Sequence, residues 1–132
     1  MTDIPLHHIV YGHCTDYLTG TQIVDTDDER YRQTLARFMV EKKGFKKTDL
    51  ESRLKIETLF SGQFVTSNID MTVAISGKRL LLIRYGPGSL VTRERPAVAA
   101  ARVLEPEYQI PLTVVTNGKD AEILDTYTGK IL

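Results

Sequence analysis

The sequence predicts an α/β fold: a mixed central sheet flanked by two helices, with extra strands at both termini. Three observations predict it. Leu80-Leu81-Leu82-Ile83 is apolar without alternation, the pattern of a strand covered on both faces. Thr92 to Leu104 reads as a helix whose Ala97, Ala100, Ala101 and Leu104 form a small-residue stripe suited to close packing on that sheet. The chain length of 132 residues fits one core, and 42% hydrophobic with 26% charged residues sets it apart from disordered and fibrous chains.

The elements follow in order. His8-Ile9-Val10-Tyr11 and Thr21-Gln22-Ile23-Val24 read as two short strands joined through a turn-rich segment ending at Thr19-Gly20. Thr26-Asp27-Asp28-Glu29 has capping-box spacing and starts a helix whose Tyr31, Leu35, Phe38 and Met39 recur on one face, with Gly44 as its stop. Thr48-Asp49-Leu50-Glu51 predicts one further helical turn. It leads into a strand in which Leu54, Ile56 and Phe60 alternate with more polar positions. After Ser61-Gly62, a second strand runs from Val65 to Ile75 with one apolar and one polar face, and Asp70 falls on the polar face.

Ser76-Gly77-Lys78 turns the chain into the central strand Leu80 to Tyr85, which Gly86-Pro87-Gly88 ends before the second helix. Pro96 lies near the start of that helix, where its missing N–H is tolerated. Leu112 to Thr116 is a further strand, Asn117-Gly118 a turn, and Glu122-Ile123-Leu124 with Ile131-Leu132 a closing hairpin. The expected organisation is one domain, with residues 1–24 as a strand extension, 25–116 as the core and 117–132 as the hairpin. Asp16-Tyr17-Leu18-Thr19-Gly20 and Asp125-Thr126-Tyr127-Thr128-Gly129 echo one another, which predicts shared turn chemistry rather than a duplicated domain.

Composition narrows the function. No apolar run approaches the roughly 20 residues that span a bilayer, and Met1 to Pro5 lacks the pattern of a signal peptide, so the expected location is cytoplasmic. Cys14 is the only cysteine, which excludes an intrachain disulfide. His7, His8, His13 and Cys14 lie near one another in sequence, but their spacing matches no standard zinc site. The formal net charge of +0 hides a polarity along the chain: every charged residue before Arg30 is acidic, whereas Arg30, Arg32, Arg37, Lys42, Lys43, Lys46 and Lys47 make the first helix and its exit basic. These residues, with Arg84, Arg93 and Arg95 around the second helix start, are the candidate nucleic-acid contacts. A solvated helix face is the plain alternative for the first group.

Without the terminal hairpins the order is helix, three strands, helix, strand. That order, together with Thr26-Asp27-Asp28-Glu29-Arg30-Tyr31-Arg32, Glu41-Lys42-Lys43-Gly44-Phe45, Asn68-Ile69-Asp70 and Val115-Thr116-Asn117-Gly118, resembles the N-terminal nuclease domain of type I restriction enzyme R subunits and its small stand-alone relatives, over roughly Asp25 to Leu132. The resemblance implies a restriction-endonuclease-like fold of the PD-(D/E)xK kind. It also implies a divalent ion, usually magnesium, held by carboxylates, and a lysine that positions the attacking water. Glu29 matches the helix acid and Asp70 the strand aspartate, both as catalytic and as metal-ligand positions. The expected Glu-x-Lys falls on Ile83, Arg84 and Tyr85. Isoleucine cannot ligate a metal, tyrosine is neutral near pH 7, and Arg84 places a positive charge where a cation would sit.

The resemblance therefore implies a nuclease-family chain with a degenerate site that retains binding of DNA, of restriction-modification subunits or of its own copies. A migrated active site using Lys78, Arg84 or Glu94 with Mg2+ is the enzymatic alternative, and a purely structural or oligomerisation module is the third. Asp70 paired with Arg84 across the sheet, and Glu29 as a helix cap, are the structural readings of the two acids. No Walker-type phosphate loop is present, so ATP-driven translocation is not encoded in these residues.

Overall fold

The computed structural model describes residues 10–132, the side chains of residues 58 and 60 excepted. It divides into two compact units, Met1–Leu50 and Glu51–Leu132. His7, His8 and Ile9 lie outside the described residues.

In the first unit, β1 (Val10–Thr15) pairs antiparallel with β2 (Gln22–Thr26), and α1 (Asp27–Glu41) follows directly. Thr26 is the N-cap expected from the sequence, its hydroxyl accepting the Glu29 N–H at 3.1 Å, with Asp27, Asp28 and Glu29 placed against the positive end of the helix dipole. Gly44, at φ 80°, lets the chain turn back so that the Phe45 N–H reaches the Met39 carbonyl at 3.1 Å. The buried face of α1 differs from expectation. Glu29, Ala36 and Met39 are buried, whereas Phe38 is 46% exposed and carries the Lys43 ammonium 5.5 Å from its ring centre. One residue is a 100° rotation, so Phe38 and Met39 cannot both face inward on a helix this narrow in its burial. The expected helical turn near Thr48 is a short 3-10 turn, Lys47–Asp49, closed by the Asp49 carboxylate on the Lys46 N–H at 3.0 Å.

In the second unit, β3 (Leu50–Phe60), β4 (Gln63–Ile75), β5 (Lys78–Tyr85), β6 (Leu112–Thr116) and β7 (Ala121–Asp125) form one sheet in the order β3-β4-β5-β6-β7. β5 is thus the middle strand. It runs antiparallel to β4 and parallel to β6, and parallel neighbours need a crossover, supplied here by α2 (Val91–Val103). Ala97, Ala100 and Ala101 have no exposed surface, so the alanine stripe is the face on which α2 meets the sheet. Two adjoining cores result: Ile69, Leu82, Ala100, Ala101 and Ile110 in one, and Leu90, Ala97, Val98, Val115 and Leu124 in the other.

The polar face expected for β4 is buried as well. Ile69 through Val73 are all shielded, including Asp70 at 3% exposure. Alternation reports which side a residue faces, not whether that side is dry.

One ion-pair system braces the unit. The Arg79 guanidinium is bidentate to Glu51 at 2.9 and 3.0 Å and also reaches Glu105 at 3.0 Å, while the Tyr108 hydroxyl donates to the Arg79 carbonyl at 2.9 Å. Tyr108, which has no evident role in the sequence, is therefore a structural tie. The two echoing pentapeptides are the same turn. In each, the aspartate N–H reaches the carbonyl five residues on at 2.8 Å, the glycine N–H returns to the aspartate carbonyl, and the threonine hydroxyl donates to the aspartate carboxylate at 2.7 Å. The glycines match too, at φ 75° for Gly20 and 74° for Gly129.

Leu82 is fully buried between α2 and β4, so Leu82→Ala is expected to lower unfolding stability by about 3 kcal/mol in urea titrations. A second outcome concerns pH. The side-chain and backbone hydrogen bonds from Thr128 hold the Asp125 carboxyl below its ordinary value. Its stabilising effect is complete above the unfolded value and is lost as pH falls through the folded one. Asp125→Asn should therefore flatten part of the acid limb of a melting-temperature profile between neutral and acid pH.

Candidate functional site

The second unit gathers polar chemistry at the C-terminal ends of β5 and β6, beside the start of α2, which is where open α/β sheets generally bind ligands. Gly86-Pro87-Gly88 leaves β5 there and Asn117-Gly118 leaves β6. The two loops are tied together: the Gly86 N–H donates to the Thr116 carbonyl at 3.1 Å, and the Asn117 side-chain amide donates to the Gly88 carbonyl at 3.0 Å. Asn117 also accepts the Lys119 and Asp120 N–H groups, and Thr116 donates to the Asp120 carbonyl. Asn117 is a site-forming residue that sequence reasoning read only as a turn.

Asp70 is buried at this end of the sheet. Its Oδ2 accepts the Tyr85 backbone N–H at 2.6 Å, and the register Met71↔Ile83 sets Asp70 beside Arg84. Arg84 is half-buried. Burial pushes its guanidinium below the ordinary arginine value, the Asp70 carboxylate counters this, and Arg93 adds to the depression. Arg93, on the first turn of α2, donates to the Pro87 carbonyl, while its Nε is shielded from solvent without a hydrogen-bond partner. A Cβ at Gly86 would meet the Arg93 guanidinium, which would have to shift to make room. Arg95 is exposed nearby on the helix.

Ile83 is 3% exposed and pairs with Met71 and Val114, so it is a core residue. Tyr85 contributes its main-chain N–H to Asp70. Asp70, Ile83 and Tyr85 thus offer one carboxylate, already engaged, where magnesium needs several oxygen ligands. These donors do not fit the ion. Among the described residues, no three of His, Cys, Asp and Glu stand together as metal ligands would.

In the first unit, Glu29 is 5% exposed. Its carboxylate accepts Arg32 at 2.7 Å and the Gln33 amide at 3.5 Å, and Gln33 also reaches the buried Asp16 at 2.9 Å. Arg30 is bidentate to Asp25 at 3.0 and 3.2 Å and lies 4.0 Å over the Tyr11 ring. Arg37 and Lys47 both stand on the Tyr17 ring, at 4.8 and 4.3 Å. Lys42, Lys43 and Lys46 are exposed around the helix exit. His13 and Cys14 are consecutive on β1 and point to opposite sides, and burial pushes the Cys14 thiol up, away from the thiolate form that ligates metals.

The family model described as type I restriction enzyme R protein N terminus matches residues 27–131, which covers α1 through the closing bridge of the sheet. The chain belongs to this family. Comparison with curated proteins and with solved structures gave no match. Within the type I restriction enzyme R protein N terminus family, then, this chain carries a mixed α/β sheet whose β5 end holds Asp70, Arg84 and Arg93 together. No helix among its described residues is long and apolar enough to cross a membrane.

Removing the Asp70 carboxylate leaves the Tyr85 N–H without its acceptor and Arg84 without its counter-charge. Asp70→Ala is expected to cost roughly 3 kcal/mol in denaturant unfolding. Asp70→Asn, which keeps an oxygen acceptor, should cost clearly less.

Proposed function

We propose that this chain binds the phosphate backbone of DNA without cleaving it, as a restriction-endonuclease-like domain whose strand aspartate is engaged by the protein itself instead of by a metal. The observation that carries the reading is at Asp70. The acid that matches the family's strand aspartate accepts a backbone N–H at 2.6 Å and lies beside Arg84, so its charge is balanced by protein. A guanidinium, being cationic, cannot take part in holding magnesium. It can meet a phosphate.

Two sets of cations support the binding part. Arg84, Arg93 and Arg95 stand at the β5 end and the start of α2, and Lys42, Lys43 and Lys46, with Arg37 and Lys47 on the Tyr17 ring, stand at the α1 exit. Arg30 and Arg32 belong to the same basic stretch, but each is held by an acid, Asp25 and Glu29, so they contribute field more than direct contact. Family membership adds the restriction-modification setting, in which the partner is either DNA or another subunit.

Fluorescence anisotropy with a labelled duplex at several salt concentrations tests the proposal. The expected result is salt-dependent binding. Charge reversal of Lys42, Lys43 and Lys46 together should weaken it at least tenfold and reduce the slope of log affinity against log salt. Unchanged binding in that variant removes the proposed surface. Plasmid cleavage with magnesium or manganese that Asp70→Ala abolishes would overturn the inactive reading in favour of a migrated nuclease site. No binding at all, together with a stable dimer in analytical ultracentrifugation, would assign the chain to self-association instead.

A further inference from the structure

α2 meets the sheet with one face and a turn with the next. Ala97, Ala100 and Ala101 lie on the strands, whereas Arg95, Val98, Ala99 and Arg102, at helical spacings of three and four, share the adjoining face. The turn at 126–129 rises beside that second face. Between them lies a cleft of about 420 Å³, entirely within the second unit, and this volume is in the range of small-ligand pockets. Ala99 and the edge of the buried Val98 give it an apolar floor, and Gly129 forms part of the opposite wall.

Arg102 is the fixed group of the cleft. Its Nε and Nη2 atoms donate to the Thr126 and Tyr127 carbonyls at 3.0 and 3.1 Å, which holds the guanidinium against the turn. A guanidinium has five N–H groups in a planar fork, and these two bonds use one edge of it. The end-on edge, formed by Nη1 and the second Nη2 hydrogen, has no acceptor among the described residues. Gly129 leaves that group uncovered: a Cβ there would lie 3.9 Å from Arg102 Nη2, so a side chain at this position would stand against the guanidinium.

Arg95, two turns earlier and about 10.5 Å away along the helix axis, is exposed and makes no hydrogen bond or ion pair with the described residues. Glu94 is the one acid of the lining, so two arginines leave a single net positive charge. That balance suits a singly charged anion better than a phosphate dianion, which Glu94 would repel. The open edge of a guanidinium matches the two oxygens of a carboxylate, and the apolar floor matches an aliphatic chain.

We propose that the cleft between α2 and the 126–129 turn binds a carboxylate carried on a short aliphatic body, with the carboxylate on the open edge of Arg102 and the body over Ala99 and Val98. Arg95 supplies the second positive charge. Because two backbone carbonyls already immobilise Arg102, binding costs little of the side-chain entropy that a free arginine loses. The site does not depend on the DNA reading; Arg95 is the one residue common to both. A free small acid and a glutamate side chain on a partner protein present the same group.

The test is NMR titration of the isotope-labelled full chain with hexanoate, with hexanamide as its uncharged twin, and with the blocked peptide acetyl-Ala-Glu-Leu-amide. Hexanoate should shift the Ala99 and Gly129 amides and the Arg102 Nε resonance saturably, with a Kd in the millimolar range, and hexanamide should not. Tighter binding of the peptide supports the site and assigns it to a protein partner; tighter binding of hexanoate supports it and assigns it to a free acid. Arg102→Lys keeps the charge and loses the fork, so it should weaken binding about tenfold, the worth of one charge-assisted hydrogen bond. Ala99→Leu fills the floor, leaves both arginines in place and should weaken binding as much, which keeps the test open if the lysine variant does not fold. No saturable shift with either acid, an equal response to hexanamide, a stronger response to inorganic phosphate, or unchanged affinity in a folded variant overturns the site.

Discussion

The parallel pairing of β5 with β6 is the constraint from which the second unit follows. It obliges the chain to leave the sheet at Gly86, cross over as α2 and return at Leu112, and the crossover must lie flat to cover two cores at once. Ala97, Ala100 and Ala101 make that possible by letting the helix backbone approach the strands. Larger side chains there would lift α2, and the polar relations at its ends would change with it: Arg93 near Arg84, Arg102 on the Thr126 carbonyl. The chemistry of the site is thus set by the smallest side chains in the helix.

At the β5 end, one buried carboxylate serves two partners. Asp70 fixes the Tyr85 main chain just before the glycine-proline turn and balances the half-buried Arg84. A buried acid needs such partners, since an isolated one would protonate or unfold the strand around it. Here that need is met by a backbone N–H and a neighbouring arginine.

Much of the fold was legible in the sequence because it rests on local rules. The unalternating Leu80 to Ile83 run gave the middle strand, Thr26 and Glu29 gave the start of α1, and the alanine spacing gave the buried face of α2. Residues whose roles depend on distant neighbours were not legible. Asp70 alternates as a surface residue would, yet both sides of β4 are covered at that point. Phe38 fits an apolar stripe but sits one step outside the buried one. Arg79 and Asn117 carry no pattern of their own, since their partners Glu51, Glu105 and Gly88 come from other elements.

The paired Asp-x-x-x-Gly turns amount to a controlled comparison built into one molecule. Gly20 and Gly129 have nearly the same φ, and the hydrogen bonds that close the turn are shared. Their settings differ: Asp16 is 1% exposed and shares the Gln33 amide, whereas Asp125 is partly open to water. One turn design thus occurs once dry and once wet, with different residues at its second and third positions. A difference in what the two aspartates contribute reflects their surroundings together with those two side chains.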